Sequence, residues 1–569
     1  MNLKNFTFLS LIASVALVSV SCDQLKDLTY NTTPNPLEMH GDSVAISVTV
    51  NIPPKGIKKK VSVEVTPVLG DTKLETWKIQ GEKATGNGQS ITFKPGGTAT
   101  FTDVVAYNPS MEATDLKITG KIFKGTKEKD ALPEAKLADA TIITPLLVQT
   151  NFKMLFETNE IQRSFEKTVS AEINYLKGKS DLRPTELKDK DITDLVNWVI
   201  AAQSNPKIKI NSIDVKGYAS PDGEEDFNGN LSAARSKSGR TAFMELMKKQ
   251  KLTILADSNV YVTNGMGEDF EGFKEQLNRT STISQADKDL FLRVLTMTND
   301  PKQREAQMKD LGKTFSQLEK DVFPKIRRSI VTVNYTEQGL SDDELKSKAM
   351  SNPSAMSADE LIFTAGTLVK DINERAKIYD AATMAYPEDS RAFNNAGAAA
   401  FMLNNTSKAK TNLEKALNLK DNNYSKNNLA GVLMSQSDRK GAKKLLGQVK
   451  DKSAEVAYNN AIIMVLEGKY STAVTSFGTN ASFNKALAQV LSTKLDDASK
   501  TLAASSDKES ADGYYLKAII AARSNSGVDA VVSNLKSAIA KNAKYAEKAG
   551  KDREFIKFMA DPSFTSVVK

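Results

Sequence analysis

At 569 residues the chain is too long for one hydrophobic core, and 40% apolar with 26% charged residues describes an ordinary folded, multidomain protein. A formal net charge of +8, spread along the chain, does not make a nucleic-acid footprint, and no nucleic-acid partner is expected. One cysteine (Cys22) and one histidine (His40) exclude an internal disulfide and a thiolate zinc site, and leave imidazole catalysis a single candidate near the N-terminus. His40 reads as a surface residue.

The N-terminus is a targeting segment over 1–21. Lys4 precedes an apolar run, Phe6 to Val20, too short for a good membrane span, and the run ends in Ser19-Val20-Ser21 directly before Cys22. This pattern resembles the bacterial lipoprotein signal, although Ser19 stands where that signal prefers leucine. The resemblance implies a lipidated Cys22, and no cofactor beyond that lipid is expected. No later stretch is apolar enough to span a bilayer. Residues 22–40, with Asn31-Thr32-Thr33-Pro34-Asn35-Pro36, read as a lipid-anchored tether.

Alternation begins at 41. Val44, Ile46, Val48, Val50 and Ile52 share one strand face, and Val61, Val63 and Val65, then Ile91 and Phe93, then Leu116, Ile118 and Ile122 repeat the pattern. Pro53-Pro54-Lys55-Gly56, Gly86-Asn87-Gly88 and Pro95-Gly96-Gly97 punctuate it. A β-sandwich over 41–145 follows, with Lys58-Lys59-Lys60 in a solvated turn.

The segment 146–340 reads as α+β. Ile173 and Tyr175 alternate in a strand. Gly178-Lys179-Ser180 ends like a phosphate-binding loop, but Ile173 occupies the position where that loop needs its first glycine. Asp191 caps a helix with Ile192, Leu195, Val196, Val199 and Ile200 on one face. A strand of Ile208, Ile210, Ile213 and Val215 enters Gly217-Tyr218-Ala219-Ser220-Pro221-Asp222-Gly223, and a helix opens at Asn228 with Leu231, Ala234, Ala242 and Leu246 inward.

Gly217, Tyr218, Gly223, Phe227, Asn228, Leu231, Ser232 and Arg235 resemble, at fixed spacings, the peptidoglycan-associating domain of the OmpA family. Ile173, Tyr175, Ser180, Leu182 and Pro184 resemble its first strand and loop. Arg327-Arg328 before Ile330, Val331 and Val333 resembles its closing helix and strand, after a longer insertion at about 250–320. A guanidinium fork and a helix N-terminus suit a carboxylate. The resemblance therefore implies that Arg235 and Asn228 face the carboxylate of a peptidoglycan stem peptide. Ser220 stands at the family's aspartate position and cannot supply a counter-charge; Asp222, two residues on, is the substitute. The alternative for Arg235 is a surface arginine paired with Glu224, Glu225 or Asp226, and no metal site is expected in that acidic loop.

The last segment, 342–569, is helical and alanine-rich. Gly397, Ala409 and Ala416, the pairs Ala461/Ala473 and Ala518/Ala530, and Gly431 placed 34 residues after Gly397 resemble the small-residue positions of tetratricopeptide repeats. Glu467-Gly468-Lys469-Tyr470 falls at a turn between paired helices, and Pro387 ends an earlier pair. About five degenerate repeats are expected, with a concave face that binds protein partners.

Zinc-protease helices and Gly-x-Ser-x-Gly elbows are absent from the sequence, so a non-catalytic protein is expected. Taken together, the resemblances imply an outer-membrane lipoprotein of Bacteroidetes type, anchored by lipid and facing the periplasm, with surface exposure left open. It would contact peptidoglycan through its OmpA-like domain and protein partners through its repeats. The alternative is an accessory subunit of an outer-membrane assembly or secretion machine whose OmpA-like domain no longer binds peptidoglycan.

Overall fold

The structure is a computed structural model that describes residues 14–18, 24–252, 254–298 and 300–569. Cys22 and most of the targeting segment lie outside these residues. The chain divides into two compact units: residues up to Asn159 together with Ala349–Lys569, and the intervening Glu160–Lys348.

The first unit begins with a sandwich. One sheet contains β1 (Ser14–Val18), β2 (Leu28–Thr33), β3 (Met39–His40), β4 (Ser43–Ile52) and, further along the chain, Gly97–Ala106. The other contains β5 (Val61–Leu69), β6 (Thr72–Lys73), β7 (Trp77–Gly81) and β8 (Gln89–Ile91). Counting Gly97–Ala106 as β9, it is completed by β10 (Thr114–Lys124) and β11 (Lys127–Ala140). Val44, Ile46, Val48, Val50, Ile52, Val61, Val63, Val65, Ile91, Leu116, Ile118 and Ile122 are all buried in one core, as the alternation predicts. The tether expected over 22–40 is corrected. Leu25, Leu28, Tyr30 and Leu37 belong to that core, and β2 pairs antiparallel with β4. Asparagine, threonine and proline masked a strand whose inward positions are apolar.

The rest of this unit is a helical solenoid. It runs through Ala358–Phe363 and Ile372–Ala385, then pairs Ser390–Met402 with Thr406–Leu419, Asn423–Ser435 with Arg439–Leu446, Ala454–Leu466 with Tyr470–Ser476, Phe483–Leu491 with Leu495–Ala504, and Ala511–Arg523 with Val528–Lys541. These repeats are tetratricopeptide-like. The turn inside each pair holds a residue at positive φ: Asn404 (59°), Ser437 (64°), Gly468 (74°), Thr493 (62°) and, in the last pair, both Asn525 (52°) and Gly527 (89°). Side chains of Asp389, Asn405, Asn422, Asp438, Ser453, Ser482 and Ser510 cap the helix starts.

The sandwich and the solenoid are stitched together within this unit. His40 packs edge-on against Tyr470 with ring centroids 4.8 Å apart, so it is not a plain surface residue. The Gly41 amide donates to the Tyr470 hydroxyl at 3.0 Å, and Arg439 pairs with Asp42 at 2.5 Å. The Arg553 Nε donates to the Ala140 carbonyl at 3.2 Å, and Thr144 hydrogen-bonds Glu554, which Arg523 holds at 2.6 Å.

The second unit is a four-stranded sheet of β12 (Ser164–Asn174), β13 (Ile208–Ala219), β14 (Tyr261–Glu268) and β15 (Arg328–Gln338), in the order β12-β15-β13-β14. β15 runs antiparallel to both neighbours, and β13 and β14 are parallel. A bulge between Ile210 and Ser212 explains why Ile210 and Ile213 break strict alternation. Helices α1 (Lys190–Gln203) and α2 (Glu225–Lys249) pack on this sheet. The insertion expected at about 250–320 is corrected: Tyr261–Glu268 is a strand of the sheet itself, and the added helices follow it, between Phe270 and Ile326, around Phe273, Phe291, Leu318 and Phe323. In α1 the predicted face is buried except for Ile200, which is 37% exposed.

His40 supplies a pH test. Burial pushes its imidazole below the ordinary value of 6.5, the largest cause, opposed by a hydrogen bond with the Gly468 backbone. The folded state therefore favours the neutral ring. The stability this group contributes is full above pH 6.5 and is lost as the pH falls toward the folded value. Measured against His40→Gln, which removes this contribution, the wild-type first unit should lose melting temperature as the pH drops below 6.5.

Candidate functional site

The predicted partner-binding groove is occupied by the chain itself. The first helices of the first four pairs, here α3 (Ser390–Met402), α4 (Asn423–Ser435), α5 (Ala454–Leu466) and α6 (Phe483–Leu491), each present an asparagine to an extended segment, residues 149–157. Each asparagine clamps one residue of this strap twice. Gln149 donates its N–H to Asn484 at 2.8 Å and accepts from Asn484 Nδ2 at 2.7 Å. The same pair of bonds joins Lys153 to Asn459 (2.7 and 2.9 Å), Leu155 to Asn428 (2.7 and 2.7 Å) and Glu157 to Asn395 (2.8 and 2.7 Å). A carboxamide carries one acceptor and two donors, which match the N–H and C=O that one extended residue turns to the same side. Lys153, Leu155 and Glu157 alternate because an extended chain repeats every two, while Asn151 is held through its side chain, which accepts from Tyr458 and Asn484.

The amides also bond one another. Asn428 Nδ2 donates to Asn394 Oδ1 at 3.0 Å, and Asn459 Nδ2 donates to Asn427 Oδ1 at 2.8 Å. Asn394, Asn395, Asn427, Asn428, Asn459 and Asn484 have no exposed surface. Each unpaired buried polar group would cost roughly 1–3 kcal/mol, so strap and ladder satisfy a mutual need.

Between clamps the strap inserts its other side chains. Phe152 is buried with Ala430, Tyr458 and Ala461. Phe156 stacks on Tyr379 with centroids 5.9 Å apart, under the Arg375 guanidinium at 4.2 Å. Met154 packs on Gly431, where a Cβ would lie 2.5 Å from its Cε and 3.0 Å from Phe152 Cβ. This corrects the role predicted for Gly431. It faces the strap, whereas at Gly397 a Cβ would meet Leu413 of the neighbouring helix at 2.6 Å. The equivalent of Gly397 is Ala430: both stand two residues after a clamping asparagine, as do Ala461 and Ala486. Clamps at 395, 428, 459 and 484 are thus spaced by 33, 31 and 25 residues. Intra-pair turns at 404, 437, 468 and 493 share these spacings. The paired Asn394-Asn395 and Asn427-Asn428 were the available signal, missed because asparagine in helices reads as surface.

In the second unit the structure gathers Ser220, Asp222, Asn228 and Arg235 near the end of β13, but in other roles than predicted. Arg235 lies in the third turn of α2, not at its start, and is fully buried. Its Nε donates to the Lys179 carbonyl (2.9 Å), Nη1 to Tyr218 (2.7 Å) and Nη2 to Leu176 (3.1 Å). Burial, and then the neighbouring Arg327, push it down to about 10. Neither the outward carboxylate fork nor a pairing with Glu224, Glu225 or Asp226 is what this geometry makes. Asp222 is ion-paired with Arg327 at 2.9 Å and Lys177 at 3.0 Å. Ser220 Oγ accepts from Arg327 Nε at 2.9 Å and donates to Asp222. Asn228 Nδ2 donates to the Ser220 and Gly223 carbonyls at 3.1 Å and to Glu268 at 2.8 Å.

The buried face of α2 is polar and small: Asn228, Ser232, Arg235, Ser236 and Gly239, before Ala242, Phe243 and Met247. The expected inward residues Leu231, Ala234 and Leu246 are only half-buried. The cause is close approach to the sheet, since a Cβ at Gly217 would lie 2.1 Å from the Ser232 carbonyl and one at Gly265 would lie 2.6 Å from the Ala233 amide.

No family model and no curated protein matches the chain. Among solved structures, it is similar to YrrB, a tetratricopeptide repeat protein with an unusual peptide-binding site (20% identity, 37% of this chain and 100% of that chain, TM-score 0.22). A tetratricopeptide repeat protein from Parabacteroides merdae is 15% identical over 39% of this chain and 91% of that chain, with a TM-score of 0.27. PilW, a type IV pilus biogenesis factor, is 15% identical over 40% and 89%, with a TM-score of 0.22.

Two substitutions test these assignments. Arg235→Ala strands three carbonyl acceptors and should destabilise the second unit by about 3 kcal/mol or more, seen as an early separate transition in thermal melting. Gly431→Leu should cost about 1–3 kcal/mol by overpacking. Its first sign should be faster hydrogen exchange at Lys153 and Leu155, with the contact between α3 and its pair partner Thr406–Leu419 undisturbed.

Proposed function

We propose that this protein is a non-catalytic, lipid-anchored scaffold of a Gram-negative outer membrane, held through Cys22 and facing the periplasm. Its Glu160–Lys348 unit is, on this reading, an OmpA-like domain that has turned its wall-contacting residues inward. The protein then serves as an accessory subunit of an outer-membrane assembly or secretion machine rather than as a peptidoglycan tether.

The observation that carries this reading is the closed polar cluster. All three kinds of guanidinium nitrogen on Arg235 are committed to backbone carbonyls, and Asp222 is neutralised by Arg327 and Lys177. A stem-peptide carboxylate would have to displace those partners. The OmpA-like assignment is supported by the Gly217-to-Arg235 register and by the close β13–α2 packing that demands a glycine at 217. Scaffolding is supported by the stitching of sandwich, strap and solenoid into one compact unit. Among the described residues no helix is long and apolar enough to cross a membrane, which is consistent with a lipid as anchor.

Two measurements test the proposal. Labelled fatty acid should enter the wild type and not Cys22→Ser, and the variant should leave the membrane fraction; unchanged labelling and fractionation would refute the anchor. The detergent-solubilised protein should remain in the supernatant when purified peptidoglycan is sedimented. Pelleting that is lost on Ser220→Ala or Asp222→Ala, with folding intact, would restore the wall-tether reading, which the convergence of Ser220, Asp222 and Asn228 at one end of β13 favours.

A further inference from the structure

The strap is held by its backbone. All eight clamping bonds from Asn395, Asn428, Asn459 and Asn484 go to main-chain N–H and C=O groups of Gln149, Lys153, Leu155 and Glu157. Such a clamp accepts any extended segment, and selectivity falls to the pockets that take Phe152, Met154 and Phe156 and to the side-chain bonds of Gln149 with Asp512 and of Asn151 with Tyr458 and Asn484. Thr150, Asn151 and Lys153 of the strap are exposed, so it lies on the groove with an open side and can leave without helices parting. The ladder is also cross-linked by its own amides, Asn428 to Asn394 and Asn459 to Asn427, and does not depend on the strap alone for its arrangement.

One strap residue fits badly. The Glu157 carboxyl is pressed against the groove, one of its buried oxygens has no hydrogen-bond partner, and burial raises it above the ordinary carboxylate range. A neutral side chain would suit this position better than the one the chain supplies.

We propose that the asparagine ladder is a peptide-binding site for an extended segment of a partner protein with apolar side chains at alternate positions and an uncharged residue at the Glu157 register, and that residues 149–157 are its displaceable internal occupant. The strap acts as a tethered competitor. A partner segment must outcompete a ligand held at high effective concentration, so the groove opens to trans binding only when the strap is weakened or the partner fits better. This goes beyond the scaffold reading and needs neither lipid nor cell wall, so its outcome is independent of the anchoring and sedimentation tests above.

The experiment uses the detergent-solubilised full chain and a fluorescein-labelled peptide with the sequence of residues 148–159. Phe152→Ala with Phe156→Ala weakens the strap and leaves the ladder intact. The labelled peptide should bind this double variant at least ~10-fold more tightly than wild type, because the internal competitor is weakened. A Glu157→Gln version of the peptide should bind more tightly still, and adding Asn428→Leu to the protein should abolish uptake. Failure of the double variant to bind while retaining wild-type circular dichroism would overturn the proposal, as would binding indifferent to Asn428→Leu. A concentration-dependent dimer in place of peptide uptake would assign the groove to a second copy's strap and likewise refute it. Hydrogen exchange in the wild type decides the matter even if the double variant unfolds. The Lys153, Leu155 and Glu157 amides should exchange at least ~10-fold faster than the central amides of α4 and α5, through local release. Equal rates would make the strap a permanent part of the core.

Discussion

Asparagine side chains without exposed surface stand in succession along the solenoid groove, and each has to find partners for an oxygen and an NH₂ group. Water cannot serve them at that depth. Extended backbone can, because one residue offers a donor and an acceptor at the spacing a carboxamide needs. The arrangement of the first unit follows from this. The chain leaves the last sandwich strand at Ala140, packs Leu147 and Val148 on the solenoid core, runs along the ladder and continues into the second unit at Glu160. Segment 149–157 therefore fills the solenoid groove and satisfies its amides. Around it, Phe152 and Phe156 supply the apolar burial that backbone clamping lacks.

The second unit obeys the same accounting with a different group. A fully buried guanidinium cannot shed its charge and must be surrounded by acceptors. Arg235 finds them in the carbonyls at 176, 179 and 218, so it ties the loop after β12 and the end of β13 to α2. Arg328, also buried, is met by Glu172 at 2.6 Å and Asp269 at 2.9 Å. Charges that resemble a ligand-binding constellation in sequence are in this fold the means of holding loops. That distinction separates these residues from the outward-facing wall contact that their spacing in the sequence resembles.

Sandwich and solenoid share one compact unit, and polar contacts join them. Arg523, deep in the last repeat, is held by Glu554, which also takes the Thr144 hydroxyl. Such buried pairs give geometry more surely than they give net stability. A scaffold benefits from that, since what it supplies to partners is a fixed arrangement of surfaces.

Much of this was legible in the chain. Strict alternation at Val44–Ile52 and Val61–Val65 placed the sandwich core, because burial on one face of a strand leaves a period of two in the sequence. Ala461/Ala473 and the turn at Gly468 marked paired helices, because helices pack closely only through small residues. Gly217 was legible only through the motif it resembles, and its close approach to the Ser232 carbonyl appeared in the fold. Other features needed the tertiary structure, each because the deciding group is polar and its role depends on what lies opposite. Residues 24–40 looked like a tether until Leu25, Leu28, Tyr30 and Leu37 were found in a core, and Gly431 looked like a helix contact until Met154 was found against it. Arg235 reads in the sequence as a ligand fork or as a surface arginine, and only the carbonyls around it make it an internal clasp. The asparagines of the ladder recur visibly in the sequence, but nothing local says that their partner is a strand more than 200 residues away. Periodicity records burial against apolar surface; it carries no record of which distant backbone a buried amide will hold.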